Sequence, residues 1–146
     1  MNNLKEQKLN NKGFSLVELI IVIAIMAVLI GVLAPQYLKY VERSRQSADL
    51  DSIDTMMHSL EIHNADPNTT AATMAAGKIK ATSGTVSADS TTITDALAAA
   101  GMNTLPTMKS KAYATWEITV AADGWSVTAD TTATTDAKKL SEALGR

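Results

Sequence analysis

Cysteine is absent from this sequence of 146 residues. Neither a disulfide framework nor a thiolate metal site is therefore available, and cysteine usage gives no indication of the redox compartment. Aromatic residues are scarce, at 4% of the chain, and residues 64–146 hold only Tyr113, Trp116 and Trp125. A region of this size with so few large side chains buries little apolar surface alone, so we expect another element to supply part of its core.

Motifs for common enzymatic chemistry are also missing: there is no nucleophile elbow, phosphate-binding glycine loop or distinctive carboxylate pair. Residues 64–146 carry seven basic and eight acidic side chains, so no basic field for nucleic acid arises. A local patch remains open if the fold brings Lys78 and Lys80 close to Lys109 and Lys111. We expect no enzymatic activity, no cofactor and no nucleic-acid partner.

One long apolar run dominates the first third of the chain. Residues 19–38 contain no charge, and about twenty apolar residues in a helix span a hydrocarbon core of about 30 Å. Glu18 precedes this run directly. A carboxylate near the middle of a bilayer costs roughly 2.5 to 3.5 kcal/mol on insertion scales, so an acid in such a segment is by default a functional residue whose partner must be found. The natural partner is an amine.

Two other interpretations of the apolar run stay open, a secretory signal ending at residues 32–34 and a plain single-pass anchor. Pro35 directly after that exit and Glu18 beside the apolar run both oppose the secretory signal. The charge rule for orientation gives no answer because three basic residues lie on each side, namely Lys5, Lys8 and Lys12 before the run and Lys39, Arg43 and Arg45 after it.

The residues Lys12-Gly13-Phe14, followed by Ser15-Leu16-Val17-Glu18, resemble the class III signal of type IV prepilins and pseudopilins. The resemblance covers about residues 8–45. It implies a leader, residues 1–13, that a prepilin peptidase removes between Gly13 and Phe14 on the cytoplasmic side. It also implies N-methylation of Phe14, and pairing of Glu18 with the positive Phe14 N-terminus of a neighbouring subunit during assembly.

The resemblance further implies an α+β pilin fold, in which a long N-terminal helical spine packs against a small antiparallel sheet. The predicted domains are the leader at 1–13, a transmembrane or filament-core half of the spine at 14–38, an amphipathic half at 39–63 and a globular head at 64–146.

The amphipathic half of the spine carries its apolar side chains at helical spacing. Ile53, Met56, Met57 and Leu60 share one face, and the sequence predicts that charged side chains occupy other sectors, among them Glu42, Arg43, Arg45, Asp49 and Asp51. The turn signal at residues 66–68 predicts a helix end near Asn64.

Proline interrupts the spine pattern once. Pro35 removes a backbone donor and its ring clashes with the preceding turn, so we expect a kink or a local opening there. Gly31, one turn earlier, is a poor helix former and eases such an opening.

Four segments of the head show local signals. Alternation over residues 113–120 and again over 125–129 predicts an antiparallel hairpin. Residues 93–100 predict a short helix that stops at Gly101, and residues 135–144 predict a C-terminal helix capped by Thr135 or Asp136. Residues 77–92 fit either a strand pair or a loop.

No metal site is predicted. Asp54, His58 and Glu61 can share a helical face, but without a fourth ligand a solvated flank is the better interpretation. A calcium site is also conceivable, but its spacing matches no known ligand pattern, and its candidate ligands are Asp123, Asp130 and Asp136.

The leading functional hypothesis is a structural subunit of a type IV pilus that serves adhesion, motility and surface interaction. Its implied partners are other pilin subunits in a homopolymer, the prepilin peptidase and methyltransferase, the inner-membrane assembly platform, and membrane lipid before assembly. Its implied location is the cytoplasmic membrane as a single-pass precursor and the cell surface as a filament. The alternatives are a pseudopilin of a type II secretion or competence DNA-uptake system, and, in another class, a membrane-tethered binding domain.

Overall fold

The computed structural model describes residues 13–121, 123–128 and 134–145. A long helix is followed by a small sheet and two short helices. The elements in chain order are α1 (Leu16–Ala65), β1 (Gly77–Thr82), β2 (Thr85–Ala88), α2 (Thr91–Ala99), a 3-10 turn (Lys111–Tyr113), β3 (Trp116–Ala121), β4 (Gly124–Thr128) and α3 (Thr134–Leu144). A long N-terminal helix with a small four-stranded antiparallel sheet confirms the expected α+β class and is consistent with the pilin fold.

The chain divides into two compact units, the first ending at Lys39 and the second running from Tyr40 to the C-terminus. Within the first unit the helix is a single apolar segment. Within the second unit the rest of α1 packs with the sheet, α2 and α3 around one core. The leader boundary after residue 13 stays a prediction, because residues 1–12 lie outside the described part of the chain.

Helix α1 ends at Ala65, one residue beyond the predicted end. Asp66 begins a turn in which its Oδ1 accepts a hydrogen bond of 2.8 Å from the Asn68 amide. Pro67 follows and has no amide to continue the helix. The His63 carbonyl, one of the last of the helix, accepts the Thr69 hydroxyl at 2.7 Å and the Asp66 amide at 3.3 Å.

The structure keeps α1 helical through Gly31 and Pro35. The local opening that the sequence suggested at Pro35 is therefore not seen in this single chain. One proline removes one backbone hydrogen bond, and the turns on either side of it can hold the helical geometry. A kink at this position remains a prediction.

The sheet has the strand order β2-β1-β3-β4, and every neighbouring pair is antiparallel. Its register places Ile79 opposite Ile118 and Val120 opposite Trp125. Because paired residues share a face, the apolar side chains of the four strands collect on one side of the sheet. The outer face is polar, and Lys78 there pairs with Glu117 at 2.8 Å.

The core lies between this sheet face and α1. The predicted helix stripe is fully buried, with Ile53, Met56, Met57 and Leu60 each at most 1% exposed. The sheet, α2 and α3 supply the facing side chains, which include Ile79, Ile93, Leu97, Trp116, Ile118 and Leu140. At roughly 25 cal/mol per Å² of buried apolar surface, this shared core is the main stabilising term of the second unit.

The local predictions for the head are largely confirmed. Strands β3 and β4 form the predicted hairpin, and α2 stops before Gly101, which adopts φ +87°. Residues 77–92, left open between strands and a loop, form a strand pair followed by the start of α2. The predicted caps of the last helix are wrong: α3 begins at Thr134, so Thr135 and Asp136 lie inside its first turn.

Candidate functional site

The start of α1 has a capped geometry. Ser15 precedes the helix, and its carbonyl accepts a hydrogen bond from the Leu19 amide at 3.2 Å. The Ser15 amide in turn donates to Glu18 Oε2 at 2.9 Å. This is the half of a capping box in which the third helical residue reaches back to the N-cap amide. Glu18 therefore lies in the first turn, where the helix dipole favours a negative charge.

This geometry shows that Glu18 is not an isolated acid inside the apolar segment. Glu18 is at the beginning of the apolar run, its side chain is exposed, and it already has one backbone donor in its own chain. A carboxylate has about four acceptor positions, so the bond to Ser15 leaves capacity for a cationic partner.

Gly13 and Phe14 stand directly before this capped start. The Phe14 side chain is 88% exposed. A Cβ added at Gly13 would meet nothing within 4 Å, so no packing within the described chain requires glycine there. The structure thus places Gly13, Phe14 and Glu18 together at one end of α1, with both sides of the Gly13–Phe14 bond accessible.

The surface of α1 after Glu18 is apolar and uncovered. The helix is long and apolar enough to cross a membrane by length and composition, and none of its most apolar 18-residue stretch is buried within the described chain. Its large side chains are half exposed or more, from Leu19 at 59% to Leu38 at 67%. A continuous surface of this kind requires lipid or other helices as its environment.

Sequence reasoning missed the most buried charged side chain among the described residues. The sequence pattern predicts Asp49 on a sector of the helix away from the apolar stripe, but Asp49 is 2% exposed. Its two oxygens each accept the Lys109 amide at 3.0 Å, and Oδ2 also accepts the Ser110 amide at 2.7 Å. Asp49 lies four residues before Ile53, so it occupies the core face of the helix. That position could have been recognised from the stripe itself.

Glu42 extends the same contact by two helical turns. Its Oε1 accepts the Ser110 hydroxyl at 2.6 Å and the Lys111 amide at 3.2 Å. We call Glu42 and Asp49 the acid clamp, since together they bind the backbone of residues 109–111. Burial raises the pKa of the nearby Tyr113 phenol, and the negative charge of Asp49 raises it further.

The suggested metal ligands that the structure describes are not gathered into a site. His58 Nδ1 lies 3.9 Å from Glu61 Oε2, while Glu61 Oε1 accepts the Trp125 indole N–H at 2.8 Å. Glu61 thereby connects α1 to β4. Among the described residues no group of three potential ligands is arranged to hold a metal ion. Asp130, one of the three suggested calcium ligands, lies outside the described residues.

Residues 8–34 match the family model of the prokaryotic N-terminal methylation motif, which is the class III signal of type IV pilins. The matched segment contains Gly13, Phe14, Glu18 and Gly31. No solved structure matches the chain. The motif and the apolar helix together indicate a membrane-anchored, pilin-like precursor.

Proposed function

We propose that this chain is the precursor of a structural subunit of a type IV pilus, which polymerises through the apolar part of α1. One observation carries the proposal: the methylation motif coincides with a helix whose apolar surface has no cover within the described chain. A soluble binding domain has no use for such a surface, whereas a subunit that moves from lipid into a bundle of helices needs it.

The proposed roles of the N-terminal residues follow their positions. Cleavage occurs between Gly13 and Phe14, and the new Phe14 amine is methylated. Glu18 then pairs with the Phe14 amine of a neighbouring subunit. The accessibility of the Gly13–Phe14 bond and the spare acceptor capacity of Glu18 support these roles.

The driving force for assembly is not simple hydrophobic burial, because lipid and helix core are equally apolar. Close helix packing supplies dispersion, and the Glu18 pair supplies a directional term. That term is strengthened in a low dielectric and partly offset by desolvation. A single charged pair at the end of each helix therefore sets the axial register of an incoming subunit.

The proposed partners are other copies of the chain, the prepilin peptidase and methyltransferase, and the inner-membrane assembly platform. The precursor resides in the cytoplasmic membrane, and the assembled filament is at the cell surface. Adhesion and twitching motility are the activities such a filament would serve.

Mass spectrometry of the native N-terminus tests the proposal directly. We expect the cellular protein to begin with methylated Phe14, and a Gly13→Leu variant to retain residues 1–13. A wild-type protein that keeps Met1 would contradict the proposal and favour a membrane-tethered domain. Imaging of the producing cells separates the two assembly roles, since a pilus subunit gives surface filaments and a pseudopilin does not.

A further inference from the structure

Four exposed basic residues lie on the two segments that the acid clamp joins. Arg43 and Arg45 extend from α1, and Lys109 and Lys111 extend from the loop that the clamp binds; all four are exposed. We call these four residues the basic collar. They are far apart in sequence and come together only in the folded second unit.

Hydrogen bonds to the clamp hold the backbone of Lys109 and Lys111 against α1. Glu42 Oε1 accepts the Lys111 amide at 3.2 Å, and Glu42 Oε2 lies 4.0 Å from the Arg45 guanidinium. The Lys109 amide is held by Asp49 at 3.0 Å. Glu42 thus contacts both the backbone of Lys111 and the side chain of Arg45, which brings the loop close to this part of the helix.

The collar is a local positive region on an acidic protein. The chain has a formal net charge of −2, but here four exposed basic residues belong to the two segments joined by Glu42 and Asp49. Asp49 is 2% exposed, and its oxygens are occupied by backbone amides. The charges that solvent meets at this surface are therefore mainly positive, and they leave ammonium and guanidinium donors for an anion.

The basic collar follows the apolar part of α1 closely in the sequence, and this indicates which kind of anion it can bind. The uncharged run ends at Leu38, and Tyr40, 73% exposed, opens the second unit. Arg43 and Arg45 follow Leu38 by five and seven residues in the sequence, and long basic side chains near the end of a membrane segment extend back toward the lipid headgroups. The polar layer on each side of a bilayer is roughly 5 to 7 Å thick, and tyrosines are enriched at this depth.

We propose that the basic collar binds the phosphate groups of anionic phospholipids on the membrane face from which α1 emerges. This inference rests on the proposed function, since it describes the membrane-resident subunit before assembly. Lys109 and Lys111 hold the head at the lipid surface, and entry into a filament exchanges these lipid contacts for contacts with other subunits.

The absence of cysteine makes the test specific, because one introduced cysteine gives a single labelling site. The full chain carries a donor fluorophore at Thr107→Cys, near the collar, or at Ala71→Cys, beyond the far end of α1. Both positions are exposed. Each labelled protein is reconstituted into vesicles with an acceptor on the lipid headgroup, made of phosphatidylcholine alone or with about 30% phosphatidylglycerol.

We expect phosphatidylglycerol to increase energy transfer from the Thr107 position and to leave the Ala71 position nearly unchanged. Added salt should reverse the increase, because the attraction acts within a Debye length. The double variant Lys109→Gln, Lys111→Gln should lower the association constant of the loop for the lipid surface by about five-fold per lysine removed. The matched control, Lys78→Gln with Lys80→Gln on the outer sheet face, removes the same charge and should retain the increase.

Equal transfer in the two lipid mixtures would overturn the inference, and so would equal effects of the two lysine pairs. An increase that follows the protein-to-lipid ratio instead of the phosphatidylglycerol content would also overturn it, and would assign the collar to a second copy of the chain. Failure of the protein to float with either vesicle would instead contradict the membrane residence on which the proposed function depends.

Discussion

Asp49 in α1 and Ser110 in the loop before β3 are joined by a hydrogen bond of 2.7 Å from the Ser110 amide to Asp49 Oδ2. The contact joins two residues that are far apart in the sequence, with two strands and α2 between them. Since Asp49 is 2% exposed, the bond is made away from water, where an unpaired carboxylate or amide is costly. The loop of residues 109–111 is therefore fastened to the spine by charge-assisted bonds.

Replacement of Asp49 by asparagine should destabilise the head by about 2 to 4 kcal/mol, because an amide keeps the shape but presents an N–H group to backbone donors. Urea unfolding of the detergent-solubilised chain, followed by tryptophan fluorescence, measures the change. Asp51→Asn is the matched control, since Asp51 is exposed and should shift stability by less than about 0.5 kcal/mol. Similar losses in the two variants would show that the clamp is not a stabilising contact.

The raised pKa of Tyr113 predicts that the folded head loses stability in alkaline solution. Burial and the Asp49 charge raise its pKa in the folded state. Above the ordinary value of about 10, the unfolded chain releases this proton while the folded chain keeps it. The contribution is thus complete below about pH 10 and is lost as the pH rises through the folded pKa. Urea midpoints at about pH 8 and pH 11 should differ less in Tyr113→Phe than in the wild type, whereas Tyr40→Phe, which changes an exposed phenol, should behave like the wild type.

Two substitutions at Glu18 separate its two possible roles. Glutamine can still accept the Ser15 amide in a capping box but carries no charge, whereas alanine removes both properties. We expect Glu18→Gln and Glu18→Ala to be processed, to remain in the membrane and to enter filaments poorly. Filament yield per processed subunit is the measurement. Normal yield from the glutamine variant, with a defect in the alanine variant, would assign Glu18 to helix capping and remove the charge pair from the mechanism.

Gly84 should be far less tolerant than Gly101, although both adopt a positive φ, +85° and +87°. A Cβ at Gly84 would lie 2.9 Å from the Met108 carbonyl oxygen, while one at Gly101 would meet nothing within 4 Å. Gly101→Ala should cost about 1 to 2 kcal/mol from backbone strain alone. Gly84→Ala should cost at least about 1 kcal/mol more, because the tight turn and the Met108 segment must separate. Denaturant midpoints of the two variants would refute this if they coincide.

Periodicity was sufficient for the elements with strong patterns. The α1 stripe at Ile53, Met56, Met57 and Leu60 has the spacing of a helix, and the β3 face alternates over Trp116, Ile118 and Val120. Each pattern repeats often enough to identify both the element and its buried side. The N-terminal signal could also be recognised from the sequence, because an acid beside an uncharged run long enough to span a membrane is rare.

Periodicity does not predict which distant segments of the chain pair with one another. Strand β1 is six residues long, and its fragment Lys78-Ile79-Lys80 alternates too briefly to separate a strand from a loop. The turn to β2 did have a signal, since Ser83-Gly84 is a turn dipeptide and both residues adopt a positive φ. Asp49 was missed because charge was weighed above position, although its spacing from Ile53 places it on the core face.

The strand order has a consequence for the time at which the head can form. Strand β1 is central, yet its second neighbour is β3, and Gly77 finds its partner only at Val120. During synthesis, a chain that has been made only as far as β2 still has an open edge on β1 and an uncovered apolar stripe on α1. The core closes only after β3 and Leu140 of α3 have been made. Translation that stops before β3 would therefore leave a product that exposes this apolar surface permanently.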